Sequence, residues 1–125
     1  MPYGYNGKIL HVDLTTGNLK VEEPGEAFFR RYMGGSALGT HYALKLIPAG
    51  ADPLGPDNVL VLSLGVTTGA AVSGQSRVTA TAKSPLSGAI GDAGTRLPPA
   101  YPGLRLATCF HDSGLPRESI FRNRA

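Results

Sequence analysis

Tryptophan is absent from this chain, and cysteine occurs once in 125 residues. One cysteine excludes an internal disulfide. No apolar run approaches the length that crosses a bilayer. The opening Met1-Pro-Tyr-Gly lacks a basic segment followed by an apolar one, so no signal peptide is expected and the cytoplasm is the expected compartment. A hydrophobic content of 42% suits a soluble globular protein, and the length suits one domain with its own core.

The charge is as uneven as the composition. Residues 1–95 carry seven Lys/Arg and seven Asp/Glu and are neutral. Residues 96–125 carry five arginines, no lysine and two acids, which accounts for the whole net charge of +3. No basic helical stripe and no interleaving of aromatic with basic residues is present, which argues against nucleic-acid binding.

What is there begins with a hairpin signal. Lys8–Leu14 and Leu19–Glu23 flank Thr15-Thr-Gly-Asn18, two short strands around a glycine-containing turn. Pro24-Gly25 breaks the pattern. Glu26–Met33 reads as a short helix with an acid in its first turn and Arg30-Arg31 near its end. Ser36 is the expected cap of a second helix, Ala37–Ile47, whose Leu38, Tyr42 and Leu46 form one apolar stripe. Pro48–Asn58 reads as a loop and Val59–Leu64 as a buried strand. Gly65–Gln75 reads as a glycine-rich loop and Gly88–Thr95 as a flexible turn. In the tail only Leu104–Phe110 has the composition of a strand.

Between the two glycine-containing segments lies Arg77–Lys83, a strictly alternating strand. Val78, Ala80 and Ala82 point one way; Arg77, Thr79, Thr81 and Lys83 point the other. The second set is cationic at both ends and hydroxyl-rich between. Read as the solvated face of a sheet, it suits a flat anionic ligand. The competing reading is an ordinary solvent-facing strand.

Four blocks carry a resemblance. They are Tyr3-Gly-Tyr-Asn-Gly-Lys-Ile-Leu-His-Val-Asp-Leu-Thr-Thr-Gly17, Tyr32-Met-Gly-Gly-Ser-Ala-Leu-Gly39, Asp52-Pro-Leu-Gly-Pro-Asp-Asn58 and Thr81-Ala-Lys-Ser-Pro-Leu-Ser-Gly-Ala-Ile-Gly-Asp92. In order and spacing they resemble the N-terminal domain of the tungsten-pterin aldehyde:ferredoxin oxidoreductase family, over about residues 3–94. The resemblance implies an α+β fold, a mostly antiparallel β-sheet with two short helices. It divides the chain into a partial pterin-platform domain, 1–95, and an unmatched Arg/Pro-rich tail, 96–125. The tail is expected to be disordered, a diverged end, or out-of-frame translation.

In that family the domain is a base for a bis-molybdopterin tungsten cofactor (tungstopterin), and other domains supply the cluster ligands and catalytic groups. Aldehydes are oxidised to carboxylic acids, and the electrons pass through an iron–sulfur cluster to ferredoxin. Carried onto this chain, the resemblance implies cofactor contacts at Arg77, Lys83, Asp92, Ala93 and Gly94. Arg77 suits the role because guanidinium makes forked hydrogen bonds to phosphate or heterocycle oxygens. The family's asparagine for the magnesium between the pterin phosphates falls at Gly94, which has no side chain; Asp92 is the nearest oxygen donor. Backbone N–H groups of residues 91–94 offer an alternative contact to an anion. Cys109 alone cannot bind the four-iron cluster, and no metal ligand or catalytic residue is assigned.

No self-contained catalytic constellation stands out. Ala71-Val-Ser-Gly74 lacks the first glycine of a nucleophile elbow. Gly34-Gly-Ser-Ala-Leu-Gly39 follows a helix and lacks dinucleotide-loop spacing. His11, His41 and His111 show no ligand spacing and read as structural or exposed. The expectation is an N-terminal fragment or subunit of the oxidoreductase, inactive alone, whose partners are the remaining domains or subunits and ferredoxin. A truncated sheet is also expected to self-associate. The alternative is a stand-alone binding module without catalysis.

Overall fold

The structure is a computed structural model that describes residues 7–68 and 77–96 and the backbone of 107–111. The first four residues of the opening block, the stretch around Ser73 and most of the tail lie outside the described residues.

The elements are β1 (Ile9–Asp13), β2 (Leu19–Glu22), α1 (Glu26–Tyr32), α2 (Gly35–Leu46), β3 (Val59–Leu64), β4 (Arg77–Lys83), β5 (Ile90–Arg96) and β6 (Ala107–His111). The six strands form one sheet in the order β2-β1-β6-β3-β4-β5. All neighbours are antiparallel except β1 and β6. The α+β class with a mostly antiparallel sheet and two helices is as expected. No described helix is long and apolar enough to cross a membrane.

The hairpin forms where the turn chemistry places it. Asp13 Oδ1 accepts from Thr15 N–H at 2.9 Å, and the Gly17 N–H donates to the Asp13 carbonyl at 2.8 Å. Gly17 supplies the positive φ of 71° that the turn needs. In α1, Arg30 and Glu26 form an i,i+4 pair at the exposed surface.

The core is one layer between the helices and one face of the sheet. Ile9, Phe29, Leu38, Tyr42, Val59 and Val61 form it, with Phe28, Tyr32, Leu46 and Ile47 at its border. The Leu38–Tyr42–Leu46 stripe therefore faces inward as its spacing requires. Ser36 differs from expectation. The residue before α2 is Gly34, with no side-chain cap, and Ser36 lies inside the first turn. Gly34 holds φ 105°, and a methyl there would collide with the Leu64 carbonyl. The chain needs that conformation and space to turn from α1 into α2, so glycine is required and serine cannot take the cap position.

Three further readings are corrected. Val59–Leu64 alternates rather than being buried throughout: Val59, Val61 and Ser63 are buried, while Leu60 is 41% exposed. The helices cover only one side of this strand. Residues 90–96 are a strand, not a flexible turn. Ser84–Ala89 closes a hairpin, and seven consecutive pairs from Lys83↔Ile90 to Arg77↔Arg96 override the poor strand propensity of glycine. Strand composition in the tail is realised at 107–111, but in the centre of the sheet, where β6 joins the β1–β2 hairpin to β3.

Because β6 has a neighbour on each side, proline at its middle is expected to be severe. Cys109→Pro removes a ladder donor in a central strand and should cost about 3 kcal/mol or more in denaturant unfolding. Hydrogen exchange of wild type should show amides 107–111 as protected as those of β3. Fast exchange there, or a neutral Cys109→Pro, would refute the central placement.

Candidate functional site

The alternating strand β4 carries the polar residues on the side that α2 covers. Thr81 is fully buried and Arg77 is exposed at the strand's start. The hydroxyl-rich centre is thus not an open ligand surface, contrary to the reading from alternation. The cause is close approach. A methyl at Gly39 would strike Thr81 Oγ1 and stand 2.9 Å from Thr81 Cβ, and one at Gly35 would touch Thr79 Oγ1 at 3.7 Å. Ser63 Oγ donates to the Gly35 carbonyl at 2.7 Å, fastening the helix to β3. Thr81 Oγ1 has no hydrogen-bond partner among the described residues.

The opposite face of the sheet is the less covered one. Leu60, Leu62 and Leu64 of β3 and Val78, Ala80 and Ala82 of β4 are exposed or half-buried there. Register sets Ala80 opposite Ala93 and Ala82 opposite Gly91. These four small residues make a flat patch across β4 and β5, bordered by leucines.

The five residues singled out from the sequence are placed as follows. Arg77 is anchored by its backbone: its N–H donates to Thr68 Oγ1, and its carbonyl accepts from that hydroxyl at 3.1 Å. No described acid lies within ion-pair distance of its exposed guanidinium. Lys83 Nζ donates to the Ala51 carbonyl at 2.6 Å, so this lysine ties the Pro48–Asn58 loop to the sheet. Asp92 accepts from Ser36 Oγ, which sets a carboxylate beside the first turn of α2, where negative charge is favoured. Ala93 and Gly94 are exposed in β5. The strand pairs bring Arg77 and Gly94, and Thr81 and Asp92, to one region, but Lys83 and Asp92 are already engaged. No group of three His, Cys, Asp or Glu able to hold a metal occurs among the described residues.

Asn58 and Thr68 were not singled out. Asn58 Oδ1 accepts from the Lys83 N–H, and its Nδ2 donates to the carbonyls of Pro53 and Lys83. Thr68, 6% exposed, fixes the entry to β4. Asn58 closes the Asp52–Asn58 block, a signal for its role; Thr68 lies in a glycine-rich stretch that gives none.

Two other features flank α2. A shallow groove of about 480 Å³ is lined by Tyr32, Ser36, Ala37, Thr40, His41 and Leu44 and includes none of the five residues. On the inner side, Glu22 bonds His11 at 2.8 Å and lies 3.8 Å from Lys45. Burial raises the Glu22 carboxyl, but the His11 bond, the Lys45 charge and the Tyr42 hydroxyl outweigh it and hold the group below its ordinary 4.5. Burial, then the Lys45 charge, pushes His41 below 6.5.

The family model of the aldehyde ferredoxin oxidoreductase N-terminal domain matches residues 9–102. The chain belongs to that family. The match runs past residue 95 into the segment read as the tail. The tungsten-containing aldehyde ferredoxin oxidoreductase of Thermococcus kodakarensis is 40% identical over 88 residues, 70% of this chain and 14% of the relative. That of Pyrococcus furiosus is 36% identical over the same shares. The aliphatic sulfonate oxidoreductase, WOR-like subunit, of Pyrococcus furiosus is 40% identical over 54% of this chain and 11% of its own length. The chain thus spans about one seventh of the tungsten enzymes it matches. Among solved structures, the active site complex BamBC of benzoyl coenzyme A reductase superposes with a TM-score of 0.80 at 22% identity, over 90% of this chain and 18% of that one. This last likeness is one of fold.

Two predictions follow from the contacts around α2. Gly39→Ala should destabilise the fold by about 2 kcal/mol, although alanine gains ~1 kcal/mol in helix propensity. Adding Thr81→Ala should recover most of the loss and Thr81→Val, which keeps the bulk, should not. Equal behaviour of the two double variants in denaturant titration would rule out the steric explanation.

The second concerns acid. Glu22 and His41 both have depressed folded pKa values, so each contributes stability above its unfolded value that is lost as pH falls through its folded value. Stability should therefore decline first below pH 6.5 and again below pH 4.5. Glu22→Gln should flatten the lower limb and, by removing a charge that raises His41, deepen the upper one, whereas His41→Phe should flatten the upper limb, read by denaturant midpoints across the range.

Proposed function

We propose that this chain is the N-terminal part, as fragment or subunit, of a tungsten- or molybdenum-pterin oxidoreductase that converts aldehydes to carboxylic acids. In this reading it contributes cofactor-binding surface and is inactive alone. The supporting observation is membership of the family together with a sheet that has one face covered by helices and one face largely open. The small-residue patch of Ala80, Ala82, Gly91 and Ala93 is flat enough to lie against a planar heterocycle. Arg77 stands at the start of β4 on the other, helix-covered side of the sheet from that patch, with its backbone pinned and its guanidinium exposed at the strand's end, suited to a pterin oxygen or phosphate that reaches round that end. Gly94 and the backbone of Asp92 and Ala93 border the same region.

The fit is partial. Arg77, Ala93 and Gly94 suit the group; Lys83 and Asp92 act first in holding the Pro48–Asn58 loop and the start of α2. Tungstopterin, when bound, supplies the redox chemistry. This chain's residues supply a platform and one cation, and the domains or subunits beyond it supply cluster ligands and a route to ferredoxin. The relatives include both aldehyde and sulfonate oxidoreductases at 40% identity to this segment. That equality supports a platform role, with the substrate selected elsewhere. Residues 1–95 form the platform region, and 96–125 lend it one strand.

The test is a fluorescence titration of the purified chain with a phosphorylated pterin, alongside a viologen-reduction assay with aldehydes. Saturable pterin binding, weakened roughly tenfold or more by Arg77→Ala, and no aldehyde turnover are expected. Unchanged affinity in Arg77→Ala would remove Arg77 from the site. Absence of binding would favour the alternative, an interaction module without cofactor. Turnover by the chain alone would overturn the fragment reading.

A further inference from the structure

Both ends of β4 are finished by side chains rather than by strand. In an antiparallel ladder, the two residues of a hydrogen-bonded pair exchange both of their N–H···O=C bonds. The β3–β4 register pairs Leu64 with Val78, which sets Gly65 opposite Arg77. Half of that exchange is made: the Gly65 N–H donates to the Arg77 carbonyl at 3.4 Å. The other half is diverted. The Gly65 carbonyl accepts from the Thr68 N–H at 2.9 Å as the chain turns out of β3, and Gly65 forms a bridge with Gly34, the residue before α2. The Arg77 N–H donates instead to Thr68 Oγ1 at 3.3 Å, and the same hydroxyl donates to the Arg77 carbonyl at 3.1 Å. A hydroxyl is donor and acceptor at once, so one buried threonine side chain replaces the peptide that β3 no longer supplies.

The far end uses the same device. Register sets Val59 opposite Lys83, where Asn58 Oδ1 accepts from the Lys83 N–H at 3.1 Å and its Nδ2 donates to the Lys83 carbonyl at 3.0 Å. The two ends differ in the side chains that are held. Lys83 Nζ is spent on the Ala51 carbonyl, whereas the Arg77 guanidinium is exposed.

We propose that Thr68 is a positioning residue for the cofactor contact of Arg77: its hydroxyl holds the Arg77 peptide at the first rung of β4 and so fixes the point from which the guanidinium reaches. This role rests on the cofactor reading above. Thr68 acts through Arg77. Without the hydroxyl, Arg77 keeps toward β3 only the 3.4 Å bond from Gly65, and the start of the strand frays. Fraying moves the base of a long side chain, and binding must then order backbone as well as rotamers.

Two readouts test this on the purified chain. Thr68→Val keeps the shape and loses the hydroxyl; Thr68→Ser keeps the hydroxyl. Amide hydrogen exchange by NMR reads the fastening with no ligand present. The Arg77 N–H should be protected in wild type and in Thr68→Ser, and should exchange roughly tenfold faster in Thr68→Val. Titration with phosphorylated pterin reads the role. Thr68→Val should weaken binding roughly fivefold and Thr68→Ser by less than about twofold, and Thr68→Val added to Arg77→Ala should weaken it no further. Ser63→Ala, which loosens α2 from β3 and leaves Thr68 in place, should lower stability without changing affinity, so that stability alone is not the cause. Thr68→Ala carries the same comparison should Thr68→Val fail to fold. A wild type that binds no pterin, or binds it indifferently to Arg77→Ala, overturns the cofactor reading and this role with it. Binding that depends on Arg77 but is equal in wild type and Thr68→Val, an Arg77 amide equally protected in the two, or an additive loss in the double variant overturns this role alone.

Discussion

The close contact between α2 and the sheet is the constraint on which the rest depends. Gly39 has no side chain where Thr81 rises from β4, and Gly35 has none where Thr79 does. Two glycines four apart form a trough along the helix, and the threonines of β4 occupy it. That contact lets Ser63 reach the Gly35 carbonyl, presses Leu38 and Tyr42 onto Val59 and Val61, and holds the turn at Gly34 against Leu64. It also decides which side of the sheet is closed. With the polar side of β4 under the helix, the aliphatic side is left for whatever the sheet supports.

This explains what could be read in advance. The hairpin, both helices and the main strands were legible because local signals specify them: a glycine-containing turn at 15–18, glycines at 34 and 35, and prolines at 48 and 85. Alternation in β4 correctly sorted Arg77, Thr79, Thr81 and Lys83 onto one side. It did not say which side is buried, and the assumption that hydroxyls face water failed. Thr81 and Thr79 stand against the bare backbone of Gly39 and Gly35, so burial here follows shape rather than polarity. The signal was present in Gly35-x-x-x-Gly39, inside one of the four blocks of resemblance.

The other two departures have non-local causes. Ile90–Arg96 contains two glycines and two small residues, and nothing in it favours a strand until β4 lies beside it. Ala107–His111 is legible as a short strand, but its position between β1 and β3 depends on contacts with residues about 50 and 100 positions earlier. The candidate site was half legible. Arg77 could be chosen from strand phase and resemblance. That Lys83 and Asp92 serve Ala51 and Ser36 was invisible, since both partners lie in segments far away in sequence.

The relatives sharpen the division of labour. Proteins named for aldehyde and for sulfonate oxidation are each 40% identical to this chain, over 88 and 70 residues, and a benzoyl coenzyme A reductase complex shares its fold at 22% identity. In this chain the segment is built on backbone geometry: a helix seated on two glycines, a loop clamped by an asparagine, and an open sheet face. Side chains that read a substrate are poorly served by strands whose outward positions are alanine and glycine. Such positions bring backbone and flat surface close to a rigid, planar object and leave recognition to the few charged residues at the rim. An arginine whose backbone is fixed by Thr68 but whose guanidinium remains exposed has its side-chain rotamers, and not its backbone, left to order on any contact it makes.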